Sequence, residues 1–96
     1  MTALDVIYEK RGDILRLAEK HGAYNIRVFG SVARGESTPS SDVDLLVDVK
    51  PEHSAFFPSG LQLDLEELLG RPVDIVTENA LHWYIRDRVL QEAIPL

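Results

Sequence analysis

The chain has no cysteine. That removes disulfides, thiolate metal sites and cysteine nucleophiles, and it is compatible with a reducing compartment. Basic charge is also scarce: ten Lys and Arg against sixteen Asp and Glu give a formal net charge of −6. A free-standing nucleic-acid binder carries a basic footprint, so direct nucleic-acid binding is not expected. An acidic site that recruits divalent cations fits this balance better, although most of the carboxylates serve only solubility. No apolar run approaches the roughly 20 residues that cross a bilayer. Met1-Thr2-Ala3-Leu4-Asp5 shows no basic segment leading into an apolar one. We therefore expect a cytoplasmic protein with no membrane contact. No histidine is spaced as a metal ligand or triad member, so His21, His53 and His82 read as solvated surface. Self-modification of Tyr8, Tyr24 or Tyr84 has less to recommend it than ordinary core or surface roles.

What is present suits one domain, residues 1–96, with 45% hydrophobic and 27% charged residues arguing against disorder. Leu4, Ile7, Ile14, Leu15, Leu17 and Ala18 recur at helical spacing. They predict one packing helix from Leu4 to about Lys20, capped by Thr2 and stopped at His21-Gly22, with Gly12 as a weak spot. Asn25–Phe29 alternates polar and apolar residues and meets Gly30-Ser31, the pattern of a strand ending in a turn. Ser31–Arg34 starts a short helix that Gly35 ends, and Glu36–Ser41 has loop composition.

Asp42–Val49 is nearly continuously apolar after Asp44, as in a central strand. Lys50–Phe57 connects onward, with Phe56 and Phe57 expected to tuck onto the body. Ser59 is placed to cap a helix over Gly60–Leu69, with Leu61, Leu65, Leu68 and Leu69 inward and Asp64, Glu66 and Glu67 outward. Gly70 is its expected C-cap, Val73–Val76 a third strand, and Leu81–Ala93 a last helix, after which Pro95 closes the chain.

The sharpest chemical signal is Asp42-Val43-Asp44. In a strand, residues two apart point to one face, so both carboxylates converge. Two close anions repel unless a cation sits between them or one keeps a proton. A hard divalent ion such as magnesium is a natural partner, completed by water and substrate phosphates. Alone, Asp-x-Asp is as consistent with turn-capping residues at a strand edge. Asp74 shifts the balance, because a charge within an apolar strand is costly to bury without a partner. A helical connection between the two strands would set it beside Asp42 and Asp44. A salt bridge from Asp74 to Arg71 is the plainer alternative.

Gly30-Ser31 offers close backbone approach and successive N–H groups that favour an anion, with the Ser31 hydroxyl able to reach a phosphate oxygen. Arg34 is placed either to pair with a triphosphate or to tie the loop to Asp42 or Glu36.

Ten residues separate Ser31 from Asp42, giving Gly-Ser-x10-Asp-x-Asp with a later Asp. On Gly30, Ser31, Arg34, Gly35, Asp42, Asp44, Asp74 and the run Leu63–Asp74, the sequence resembles the DNA polymerase beta nucleotidyltransferase superfamily. Within it, the chain is similar to the minimal nucleotidyltransferases, the MNT antitoxins of HEPN/MNT toxin–antitoxin pairs. The resemblance runs from about Ile26 to Pro95. It implies an α/β (α+β) fold, a small mixed sheet with helices packed on one side. It further implies transfer of AMP from ATP to a tyrosine of a partner HEPN ribonuclease toxin, dependent on Mg2+ and most readily on two ions. On that analogy Asp42, Asp44 and Asp74 hold metal, Asp74 also takes the proton of the incoming hydroxyl, and Gly30 and Ser31, with Arg34, hold the triphosphate. Larger relatives cover the base with a second domain. This chain has no room for one, so a partner would complete the site, with Trp83, Tyr84, Ile94 and Leu96 available for an interface or for finishing the core. Two other functions fit the same residues: an antitoxin that only masks its toxin, and a nucleotidyltransferase acting on a small molecule or RNA with a helper subunit.

Overall fold

The computed structural model describes residues 2–96 and opens on helix α1 (Ala3–Glu9). Thr2 caps it reciprocally: its hydroxyl accepts the Asp5 N–H at 3.1 Å, and the Asp5 carboxylate accepts the Thr2 N–H at 3.0 Å. The single helix expected to Lys20 is in fact two. The chain turns at Lys10 and restarts as α2 (Arg11–Lys20). Gly12, the weakest helix former of the stretch, lies just past the break, and Lys10 Nζ is drawn away to donate to the Leu68 carbonyl at 3.0 Å.

Strand β1 (Ala23–Phe29) follows, then a five-residue helix α3 (Gly30–Arg34) that Gly35 ends, and strand β2 (Val43–Val49). Helix α4 (Ser59–Leu69) crosses to strand β3 (Val73–Val76), and a 3₁₀ turn (Glu78–Ala80) leads to α5 (Trp83–Glu92) and a two-residue strand β4 (Ile94–Pro95). Three local expectations need correction. Ser59 is the first residue of α4 and caps nothing, since Pro58 holds the N-cap position without a side-chain bond. The last helix starts two residues later than expected, because the His82 imidazole accepts the Tyr84 N–H and caps there. The closing strand was not anticipated: it is short, and Pro95 lacks the donor that marks a ladder residue.

The strands form one mixed sheet in the order β3-β2-β1-β4. Neighbouring β1 and β2 are antiparallel, as are β1 and β4, while β2 and β3 run parallel across the α4 connection. As expected, β2 is internal. Its Val43, Leu45 and Val47 join Ala23, Ile26 and Val28 of β1 and Val73 and Ile75 of β3 in one core. Ile7, Ile14, Ala18, Leu61 and Leu65 cover that face from α1, α2 and α4. The helices therefore put the core on one side and leave the alternate residues, Asp44, Asp48 and Asp74, on the other. Leu46 lies on that second side and is buried too, as is Val89 of α5, both outside the main core.

His21 departs from its surface reading. It is only 8% exposed, packed where Gly60 of α4 comes so close that a Cβ there would lie 2.8 Å from the imidazole Cε1. Its Nε2 meets Asp64 Oδ2 at 2.8 Å, and that bond holds the Asp64 carboxyl below its usual range. Asp64 and Glu66 were expected to face water but are half-buried. Glu66 accepts the Val73 N–H at 3.0 Å and so fastens α4 to the start of β3. Phe57 packs on the core as expected, whereas Phe56 stays exposed. No helix is long and apolar enough to cross a membrane among the described residues.

Candidate functional site

Parallel pairing of β2 with β3 places Asp44 directly opposite Asp74, and antiparallel pairing with β1 places Phe29 on its other flank. Opposite residues in a ladder point to the same face, so Asp44 and Asp74 share one spot on the open side of the sheet. Asp74 is exposed there, not buried in its strand. The flanking Val73 and Ile75 supply the core side, which is why the apolar context misleads. Arg71 does not pair with it: the guanidinium donates to the Thr38 and Ser41 carbonyls, each at 3.4 Å. Those contacts tether the loop that delivers Asp42. The loop is also closed on itself, with the Thr38 N–H donating to Ser41 Oγ at 2.7 Å and the Ser41 N–H to the Thr38 carbonyl at 3.0 Å.

Asp42 precedes the strand and is exposed, while Asp44 is half-buried. Burial pushes the Asp44 carboxyl above its ordinary value, and the charges of Asp74 and then Asp42 push it further; Arg34 opposes them. Asp44 thus feels the charge of the other two aspartates. The three are not drawn into a ligand cage: among the described residues no three His, Asp or Glu side chains are gathered closely enough to hold a metal ion. The donor chemistry nevertheless fits a hard cation. All three groups are oxygen donors and mutually repulsive, and Asp44 and Asp74 sit side by side.

Gly30 roofs this spot. It follows Phe29 with φ of +76°, a left-handed conformation, and a Cβ added there would come within 2.3 Å of Asp44 Oδ2. Both features call for glycine, so the sequence needs Gly at the strand end for conformation and for clearance of the carboxylate. Ser31 follows as the second residue of α3 and is half-buried. The Gly30 amide is not open in the way the sequence suggested. It donates to Glu92 Oε1 at 3.0 Å. Arg34 takes the loop-tying role in part, its Nε donating to Glu36 Oε2 at 3.1 Å and its Nη1 to Glu92 at 3.1 Å; Asp42 is not a partner. These carboxylates raise the Arg34 pKa further.

Glu92 was not identified from sequence. It lies three residues after Val89 and just before Ala93, on the inward edge of the last helix's stripe, and a carboxylate at such a position was the available signal. A cleft of about 520 Å³ lies beside α3 and is lined by Arg34, Gly35, Thr38, Pro39 and Arg71 together with Thr2–Leu4. It contains none of the three aspartates, which stand on an open sheet face instead.

Known proteins are similar to this chain in sequence and fold. Residues 14–96 match the family model described as a nucleotidyltransferase domain. A candidate protein adenylyltransferase of Methanocaldococcus jannaschii is 39% identical over 92% of this chain and 95% of its own length. The protein adenylyltransferase MntA of Thermococcus cleftensis is 42% identical over 81% of this chain and 79% of its own. Among solved structures, one described as a candidate minimal nucleotidyltransferase superposes with a TM-score of 0.85 at 46% identity, covering 100% of this chain and 97% of that one. A crystal structure of a toxin–antitoxin with AMP-PNP shares the fold, with a TM-score of 0.72 at 21% identity over 88% of this chain and 69% of that one. With the Gly-Ser turn set over paired aspartates and a family match across most of its length, the chain belongs to the nucleotidyltransferase domain family and is a nucleotidyltransferase.

Proposed function

We propose that this chain, residues 1–96 acting as one minimal transferase domain, is the antitoxin of a HEPN toxin and inactivates it by adenylylating a tyrosine. The observation that carries the reading is the register pairing of Asp44 with Asp74 beneath Gly30. It sets two carboxylates side by side next to the Gly30-Ser31 turn, which supports a phosphate held on that turn meeting an incoming hydroxyl there. The names of the relatives, protein adenylyltransferases, support protein as the acceptor. The toxin–antitoxin with AMP-PNP is a fold neighbour consistent with ATP as donor.

In this reading the acceptor oxygen bonds to the α-phosphorus of ATP, the bond from that phosphorus to the β-bridging oxygen breaks, and pyrophosphate leaves. Asp74, exposed on the open face, takes the hydroxyl proton; its exposure leaves room for an acceptor brought in from solvent. Ser31 and Arg34 orient the β- and γ-phosphates, and Gly30, by carrying no side chain, lets the Asp44 carboxylate stand directly against the turn. Asp42, Asp44 and Asp74 would hold magnesium, which when bound supplies positive charge against the phosphates and the leaving group.

The open sheet face also supports an external acceptor. Trp83 and Tyr84 at the start of α5 are 79% and 77% exposed, which suits them to an interface with the partner. Ile94 and Leu96, the other two candidates, are half-buried and finish this domain instead.

Intact-mass measurement of a HEPN toxin incubated with the chain, ATP and magnesium tests the proposal. A single AMP adduct on a tyrosine, absent with Asp42→Asn/Asp44→Asn, is expected. No adduct, with neutralisation surviving Asp44→Asn in cells, would leave masking as the mechanism. Label transferred to RNA or a small molecule but not to protein would overturn the acceptor.

A further inference from the structure

Glu92 brings a fourth carboxylate to the site from outside the Gly-Ser and Asp-x-Asp motifs. Its Oε1 accepts both the Gly30 N–H, at 3.0 Å, and Arg34 Nη1, at 3.1 Å, while Oε2 accepts the same Arg34 nitrogen at 3.2 Å. The Glu92 side chain is 18% exposed and that of Arg34 35%, so the bond to the Gly30 amide is partly buried while the ion pair with Arg34 stands open to solvent, where an entering anion can reach it. Gly30 and Arg34 lie at the two ends of α3, and Glu92 bridges them from α5.

Those two groups are the ones assigned above to nucleotide phosphate. A carboxylate and a phosphate compete for the same amide and guanidinium, because both accept through anionic oxygens. We propose that Glu92 is an internal stand-in for the nucleotide phosphate, occupying the Gly30 amide and Arg34 in the free protein and surrendering them when a nucleoside triphosphate enters. The proposal rests on the functional reading above and deepens it by naming the residue that sets nucleotide affinity.

Two consequences follow from the geometry. Arg34 is never left unpaired, since one anion replaces another. The tethered carboxylate also competes at a high effective concentration, on the order of millimolar for a short flexible tether and more for a folded one. A monophosphate that can engage only Gly30 and Arg34 loses that contest. A triphosphate gains further contacts, the Ser31 hydroxyl among them, and wins. Glu92 thereby selects triphosphate over monophosphate.

Calorimetric titration of the full chain with ATP and with AMP, both with magnesium and without any acceptor protein, tests this. Glu92→Gln keeps the shape and removes the charge. ATP should bind it about tenfold more tightly than wild type, the scale of one charge-assisted hydrogen bond no longer exchanged, and the preference for ATP over AMP should narrow. Glu92→Ala carries the same expected sign if the glutamine amide disturbs packing. Structural damage would move affinity the other way, so tightening cannot be mimicked by partial unfolding. ATP binding by wild type that both variants leave unchanged or weaken overturns the role of Glu92 alone. Absence of ATP binding in wild type and both variants overturns the functional reading with it.

Discussion

A methyl group at Gly30 would have to share space with the Asp44 carboxylate and adopt a left-handed backbone at the same time. The conformational cost alone is about 1–2 kcal/mol. In the proposed reading, displacing Asp44 by about an ångström should lower transfer by about 100-fold. Gly30→Ala should therefore lose both stability and activity, measured by thermal unfolding and by transfer kinetics; wild-type kinetics in that variant would remove Gly30 from the site. Asp44 presents the opposite trade. A carboxyl whose folded-state pKa is raised above its ordinary value of 3.8 binds its proton more tightly in the folded chain. Its contribution to stability is present below that value and lost as the pH rises through the folded pKa, so ionised Asp44 burdens the fold at neutral pH. Asp44→Asn should unfold at a higher temperature than wild type at pH 7, and the difference should narrow as the pH falls toward 3.8. Magnesium should raise the wild-type midpoint and leave that of Asp44→Asn unmoved. A variant no more stable than wild type at pH 7 would show that the three aspartates do not strain one another.

Strand β1 carries an irregularity between Tyr24 and Arg27, with Asn25 at φ of 51°. The bulge aims Arg27 between Asp48 and Glu78, to which it donates at 3.2 Å each. Arg27→Ala removes the cation shared by two half-buried carboxylates, leaving Asp48 with Asn25 and Glu78 with Arg86, and should cost about 1–2 kcal/mol in denaturant unfolding, against nearly nothing for an ordinary surface arginine. A loss below about 0.5 kcal/mol would mean that solvent already satisfies them. Helix α5 is the counterexample. Its first two turns stand exposed from Trp83 to Arg88, so Trp83→Ser and Tyr84→Ser should alter stability by no more than about 0.5 kcal/mol while weakening capture of the acceptor protein. A large stability loss would assign these aromatics to the core instead.

These elements also show how far sequence reasoning reaches. The Gly-Ser turn, β2, the left-handed Gly70 after α4 and Asp74 in β3 were legible because each rests on a local pattern of a few residues. Glu92, the burial of His21 and the pairing of Ile94 with Val28 were not, since each is decided by residues tens of positions away. Asp74 was placed in the right strand on the wrong premise. Apolar neighbours in a one-sided sheet signal a core on the opposite face, not burial of the residue between them.

At the scale of the whole molecule, the main core faces α1, α2 and α4, and the opposite side presents Asp74 to solvent with Asp44 half-buried and Leu46 fully buried. A net charge of −6 adds to that field and disfavours polyanionic acceptors such as RNA, so the account expects the acceptor to be protein. In the proposed reading, transfer should pass directly from nucleotide to acceptor with no stable intermediate on this chain. The most direct test is to supply ATP labelled at the α- or the γ-phosphorus together with the partner toxin and magnesium. The α-label alone should appear on the toxin, with stoichiometric pyrophosphate, and Asp44→Asn should abolish both. Transfer of γ-label, or α-label transfer that survives Asp44→Asn, would contradict the proposed reading.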